Sequence, residues 1–423
     1  MKRRIAIEDL KIGMYVSDLD RSELAMSQGF WIRSQAQINK LRRYCKHVYI
    51  ETPETYPYPG TRRPSSGKWP PSGLFSSEDQ KKLEFEILKL SAAPHDIAAQ
   101  YQDQVTLEEE INNLRPTYNE SRALTRTILR GVRDDKRLDV TAVKKVAGQF
   151  VESVLRNGNG LVCFAQLRRR ADYTSLHSVR TCLLALTFGR HLALKVDDLY
   201  LLGIGTLLQD IGKAKVPVEI LDKPQPLTNP EFQAVKRHVQ WGVDVVRVGQ
   251  NIPEPAIEVV RFHHERYDGS GYPNGLKGDQ IPLLGQIGAI VDCYDALTSD
   301  RAYSAAISAH NALMQIYESR DKEFDAALVE KFIQCLGIYP IGSLVELNTG
   351  DVGVVITVNR ARRLKPKVRL ALTAEKTVYR PPRTINLMSD TTNDDQPFEI
   401  DRVLDPGAYG INPVHFLPVR LHH

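Results

Sequence analysis

From residue 156 to residue 340 apolar residues recur three and four apart almost without a break, and runs of alternating polarity are scarce. A stretch of that length with a helical period can hide its apolar faces only by packing several helices on one another. An all-helical domain is therefore expected over 156–340. Within it, "LTNPEFQAVKRH" marks one helix start, with Thr228 as N-cap, Pro230 in the first turn and Glu231 at the capping-box position.

The flanking segments read differently. Residues 1–51 carry "RIAIEDLKIGMYVSDL" and "HVYIE" as strands around the helical "SQAQINKLRRYCK", a small α+β domain. Residues 52–76 hold the proline-rich "TPETYPYPGTRRPSSGKWPPSG", a linker without helical period. Residues 77–155 are helical and polar, with Leu124, Ile128 and Leu129 at helix spacing. Such a connector suits either packing onto the next domain or joining two protomers, so a homodimer is one expectation. Residues 341–423 turn to Val and Ile runs around Gly and Asn, as in "LVELNTGDVGVVITVNRARRLKPKVRLALT", a β-rich extension. The fold class expected is multidomain and mainly α, at a length of 423 residues that exceeds one ordinary core.

The net charge of +5 is too mild to point to DNA, and the basic "NRARRLKPKVR" reads as a solvated hairpin. Five cysteines at 45, 163, 182, 293 and 335 form no CxxC pair, which argues against a disulfide framework or thiolate zinc site and for a reducing cytoplasm. No apolar run reaches the roughly 18 residues of a membrane span, and the N-terminus lacks the apolar core of a signal peptide.

Chemistry concentrates in the helical domain. His177, His238 and the adjacent His263 and His264, with Asp210 and Asp292, offer nitrogen and carboxylate donors from about five elements. That donor set suits a pair of iron, manganese, nickel or zinc ions in a helical site. A single helical histidine is more often a satisfied core or surface residue, and His191, His310 and His415 are read that way. The adjacent pair departs from that rule because neighbouring residues on a helix point about 100° apart. Read from the residues alone, ligand and core histidine both stay open. Lys213 is either an ammonium near a leaving oxygen or a lysine at a helix C-terminus.

The segments "HSVRT", "LLQDIGKAKVP", "FHHERYDGSGYPNGL" and "VDCYDALTSDRAY" resemble, in order and spacing, the HD-GYP family of bacterial cyclic di-GMP phosphodiesterases. The resemblance covers about 160–340, and "IGMYVSDLDRS" with "GFWIRS" is similar to the small domain that often precedes this module. It implies that His177, the residue at 209, Asp210 and Asp292 surround one divalent transition-metal ion. Asp210, His238, His263 and His264 would surround a second, with Asp210 bridging. Two such ions lower the pKa of a water and offset charge growing on phosphate oxygens. The resemblance further implies that Lys213 and Arg301 meet the phosphate, and that Gly271, Tyr272 and Pro273 flank the site, the ring of Tyr272 being offered to a base or to a diguanylate cyclase domain.

Three departures bear on activity. The histidine that names the family is Gln209 here, whose only ligand atom is an amide oxygen, a poorer donor to a transition metal than imidazole. Members with a third metal carry a glutamate where Tyr173 stands, and a phenol of pKa about 10 is a reluctant ligand. A basic residue expected three after Arg301 is Ser304. The function implied is hydrolysis of cyclic di-GMP to linear pGpG, with GMP as a further product, at an activity reduced by Gln209. The alternative is a catalytically inactive receptor or scaffold that binds cyclic di-GMP or a diguanylate cyclase domain.

Overall fold

A computed structural model describes residues 2–9, 15–19, 30–31, 35–42, 47–51, 101–166, 173–223, 225, 227–249, 251–299, 306–359 and 364–418. The chain divides into two compact units, Met1–Ser76 and Ser77–His423. In the first, strands β1 (Lys2–Ala6), β2 (Tyr15–Leu19), β3 (Phe30–Trp31) and β4 (His47–Glu51) form an antiparallel sheet in the order β1-β4-β2-β3, with helix α1 at Gln35–Arg42. Val48 on the central strand and Ile38 on the helix are buried, which gives this small unit its apolar centre. Strands β1, β2 and β4 and the helix fall where alternation and helical period put them; the two-residue β3 has no such signal.

Among the described residues of the second unit the first helix is α2 (Leu107–Arg133), which begins in a capping box between Thr106 and Glu109. Its buried residues Ile111, Leu114, Tyr118, Ile128 and Val132 form one stripe at helical spacing. Helix α3 (Val140–Arg156) buries Val143, Val146, Phe150 and Val154 in the same way. Both pack on the helices that follow, so this connector is part of the helical unit. The buried carboxylate of Glu110 fixes their pairing by accepting from Ser153 Oγ at 2.6 Å and from Arg156 Nε and Nη2 at 2.7 and 2.9 Å.

After the short α4 (Gly160–Ala165) come α5 (Tyr173–His191) and α6 (Val196–Leu208). From Val179 to Phe188, Val179, Cys182, Leu183, Leu184, Ala185, Leu186 and Phe188 are all buried, so α5 is sheathed by other helices on every side. Helix α6 runs into a 3₁₀ turn, Ile211–Lys215, followed by α7 (Val218–Leu221) and α8 (Asn229–Lys236). Thr228 and Glu231 form the capping box expected of "TNPE". Helices α9 (His238–Val248), α10 (Glu254–Phe262), α11 (Leu283–Leu297), α12 (Ala309–Glu318) and α13 (Ala326–Leu336) complete the helical layer.

The C-terminal region is an antiparallel five-stranded sheet in the order β8-β7-β6-β5-β9, built from β5 (Leu344–Leu347), β6 (Val352–Thr357), β7 (Lys367–Leu372), β8 (Thr384–Asn386) and β9 (Ile400–Leu404). Central β6 is buried along nearly its whole length, as a strand covered on both faces must be. Among the described residues no helix is long and apolar enough to cross a membrane.

Candidate metal centre

Every donor named from the sequence sits at a helix end or on a sheathed helix. His177 projects from the first half of α5, and Asp292 from α11, which packs on α5. Gln209 caps the C-terminal end of α6 and Asp210 opens the 3₁₀ turn after it. His238 is the first residue of α9, and His263 caps the C-terminal end of α10, with His264 next. The turn after Asp210 can lie on α9 because residue 212 is glycine. A Cβ there would overlap the His238 carbonyl oxygen and stand 2.5 Å from Gly242 N. Close backbone contact thus sets the spacing of Asp210 and His238.

All seven residues are buried, Gln209, Asp210, His238 and His263 completely so. Six of them, all but Gln209, form two groups whose donor atoms lie within 4.8 Å of one another: Asp210, His238, His263 and His264, and His177, Asp210 and Asp292. Asp210 divides its oxygens between them. Oδ1 lies 3.4 Å from His238 Nε2 and 3.7 Å from His263 Nε2, while Oδ2 lies 3.4 Å from His177 Nε2 and 2.6 Å from Lys213 Nζ. Asp292 Oδ1 is 2.8 Å from His177 Nε2, and Oδ2 is 3.9 Å from His264 Nδ1.

A buried polar atom without a partner is costly, so unpartnered atoms here are informative. Asp210 Oδ1, His238 Nε2, His263 Nε2, His264 Nδ1 and Gln209 Oε1 are buried with no hydrogen bond. The atoms that Asp210, His238, His263 and His264 offer converge within 4.8 Å of one another, which fits a cation. The imidazoles are also held in the right tautomer: His238 Nδ1 donates to Val235 O at 2.7 Å and His263 Nδ1 to Val260 O at 2.9 Å, which leaves each Nε2 a lone pair.

Electrostatics point the same way. Burial and the neighbouring cationic groups push His264 well below the usual imidazole range, and burial lowers His238, so both stay neutral donors. Burial would raise the Asp210 carboxyl, but the Lys213 ammonium and the surrounding imidazoles outweigh it and hold Asp210 well below the carboxylate range. His177 is shifted upward: burial lowers it, and Asp292 and Asp295 together more than offset that.

Gln209 does not simply substitute for an imidazole. Its Nε2 donates to Asp292 Oδ1 at 3.0 Å, and its Oε1 is the unpartnered atom. The three-donor group therefore has an amide beside it whose hydrogen is spent on one of the donors.

One expectation for the "DGSGYP" loop needs correction. Tyr272 is buried rather than offered outward: its ring stacks on His264 at 4.7 Å and 25°, with the Lys236 ammonium 4.9 Å away. It braces a donor histidine, because an aromatic ring next to an imidazole gains more by stacking than by facing water. Gly271 allows a close approach, but to this chain's own backbone: a Cβ there would overlap Arg266 N and stand 2.5 Å from Glu265 Cα. Pro273 is exposed at the loop edge. Arg301 and Ser304 lie outside the described residues, as does the side chain of Tyr173. His310 is a core residue, donating from Nδ1 to Ile338 O at 2.9 Å.

Three residues not singled out from the sequence belong to the site. Glu265, buried, accepts from Asn274 N at 2.7 Å and Leu276 N at 3.0 Å and so closes the loop. Asp295 accepts from His177 Nδ1 at 2.6 Å and is paired with Arg180. Asp295 and Arg180 stand three residues after Asp292 and His177, on the same helix faces, but only the packing of α11 on α5 pairs them.

Comparison with known proteins fits this architecture. The HD domain family model matches residues 165–328, the family described as a domain of unknown function (DUF3391) matches 2–143, and the KOW domain associated with HD domain matches 344–406. A cyclic di-GMP phosphodiesterase of Pseudomonas aeruginosa is 32% identical over 92% of this chain and 89% of its own length. The chain belongs to the HD-GYP family. Two further relatives match over shorter spans. The cyclic di-GMP phosphodiesterase response regulator RpfG of Xanthomonas campestris is 36% identical over 40% of this chain and 46% of its own. The 3'3'-cGAMP-specific phosphodiesterase 2 of Vibrio cholerae is 32% identical over 39% and 32%.

Proposed function

We propose that this HD-GYP chain is a metal-dependent phosphodiesterase that hydrolyses cyclic di-GMP to linear pGpG, with a strong cation site and a weaker one. The observation that carries the reading is the division of Asp210's two oxygens between a four-donor and a three-donor group, with five buried acceptors left unpartnered. The extended similarity to a relative named as a cyclic di-GMP phosphodiesterase supports the substrate.

Cations held by these residues would supply Lewis acidity to the phosphate and an acidified water. The remaining work falls to the chain. Asp210 orients both groups from one carboxylate. The backbone carbonyls of Val235 and Val260 hold the protons of His238 and His263 away from the centre. Lys213 Nζ, one fifth exposed and 2.6 Å from Asp210 Oδ2, carries a proton at the mouth of the site. In the hydrolysis a water oxygen bonds to phosphorus as one P–O3′ ester bond breaks; the leaving 3′-oxygen takes a proton, for which Lys213 is the candidate donor, and the proton the water gives up to solvent is matched by the one Lys213 regains from it. Arg301 is the candidate second phosphate contact. Further hydrolysis to GMP, a cytoplasmic setting, a homodimer and a diguanylate cyclase partner belong to the same proposal.

A second reading is favoured by Gln209, whose amide hydrogen is committed to Asp292: a receptor or scaffold that binds cyclic di-GMP without turnover. Purified full-length protein, made under low oxygen and incubated with cyclic di-GMP and with 3'3'-cGAMP, separates these. Linear pGpG from cyclic di-GMP supports the enzyme; saturable binding with no product supports the receptor; faster cleavage of 3'3'-cGAMP reassigns the substrate.

A further inference from the structure

The three histidines that present Nε2 to the centre are not held alike. His238 and His263 each donate Nδ1–H to a carbonyl three residues back in their own helical segment. His177 instead donates Nδ1–H to the carboxylate of Asp295, 118 residues away in sequence, at 2.6 Å. Asp295 cannot serve as a metal donor itself. Its Oδ1 accepts from Arg180 Nε at 2.7 Å, and its Oδ2 accepts from Arg180 Nη2 at 2.8 Å as well as from His177. Arg180 Nη2 also donates to Ser299 Oγ at 3.0 Å. All four residues are buried.

This arrangement stands behind the group that Gln209 weakens. A carboxylate on Nδ1–H fixes the imidazole tautomer and makes Nε2 a more basic donor than a carbonyl partner does. Arg180, one helical turn after His177 on α5, binds Asp295 in a bidentate fork and so aims it at the ring. We propose that Asp295, held by Arg180, is a positioning residue that strengthens His177 as a cation donor and offsets the poor donor at position 209. The inference rests on the two-cation reading above and deepens it.

The test is a titration of full-length, metal-free protein with Mn²⁺, free Mn²⁺ being read by electron paramagnetic resonance. The wild type is expected to show two classes of site, the weaker of which disappears in His177→Ala. Asp295→Asn should weaken that class alone by about 10–100-fold, leave the tighter class in place, and recover affinity when combined with Gln209→His. Because Asp295→Asn leaves Arg180 without its charged partner, the double variant Asp295→Asn/Arg180→Met, which buries no lone charge, should show the same selective loss. A merely structural role would move both classes together. Equal loss of both classes, or an unchanged weaker class in both variants, overturns the inference while the metal reading stands. A wild type that binds no Mn²⁺ overturns the metal reading and this inference with it.

Discussion

Replacing Gln209 by histidine restores the imidazole at the weakened group, and the structure sets the scale of its effect. Gln209 is fully buried, with Nε2 bound to Asp292 Oδ1 at 3.0 Å and Oε1 unpartnered. In metal-free protein Gln209→His exchanges one orphan acceptor for another and gives up a bond to a carboxylate, worth about 1.5–3 kcal/mol. Without cations the variant should therefore be no more stable than wild type. With a cation bound, Asp292 is neutralised by ligation, the lost bond matters little, and the new nitrogen is a donor. Cation-dependent stabilisation should then rise by the same 1.5–3 kcal/mol, or about 10–150-fold in affinity. Thermal unfolding with and without Mn²⁺ measures this directly, since a ligand that binds only the folded state stabilises in proportion to the logarithm of its affinity. Hydrolysis of cyclic di-GMP should increase in parallel. A Mn²⁺-dependent shift no larger than that of wild type would refute the argument that the amide is the weak point.

Other perturbations test the scaffold. Gly212→Ala places a methyl group against the His238 carbonyl oxygen and Gly242 N, both backbone and unable to swing aside. It should cost about 3 kcal/mol, the upper end for overpacking, and weaken cation binding by parting Asp210 from His238; unchanged denaturant midpoint and metal content would reject that. Glu110→Ala removes the buried partner of Arg156. Broken buried pairs cost about 3–5 kcal/mol, and because the Arg156 side chain is 30% exposed and rehydrates, about 3 kcal/mol is expected in chemical denaturation, with metal content retained. Tyr272→Ala removes the ring stacked on His264 and should reduce affinity at the four-donor group severalfold in a Mn²⁺ titration without affecting the three-donor group.

Much of the site was legible because its donors are rare residue types in fixed local contexts. His177, Asp210, His238, His263, His264 and Asp292 were identifiable as a set, and the structure brings all six together. The helical layer, the α+β N-terminal unit and the C-terminal sheet followed from periodicity, and the start of α8 from its capping box. The parts that were not legible depend on long-range contact. Asp295 reads locally as one more acid on a helix, and only the packing of α11 on α5 turns it toward His177. A glycine-rich loop with an aromatic suggests a ligand surface, which is why the ring of Tyr272 is expected to face a base or a partner. The loop instead folds back onto residues 264–266, closed by Glu265. Side-chain direction in a turn is set by such closures, which no periodicity records.

The central claim is that Asp210 serves two cations at once through its two oxygens. Metal analysis of full-length protein made under low oxygen, wild type beside Asp210→Ala, tests it. Up to two divalent transition-metal ions are expected per wild-type chain, and none in a folded Asp210→Ala variant. A variant that folds and keeps either ion at the wild-type level would contradict it.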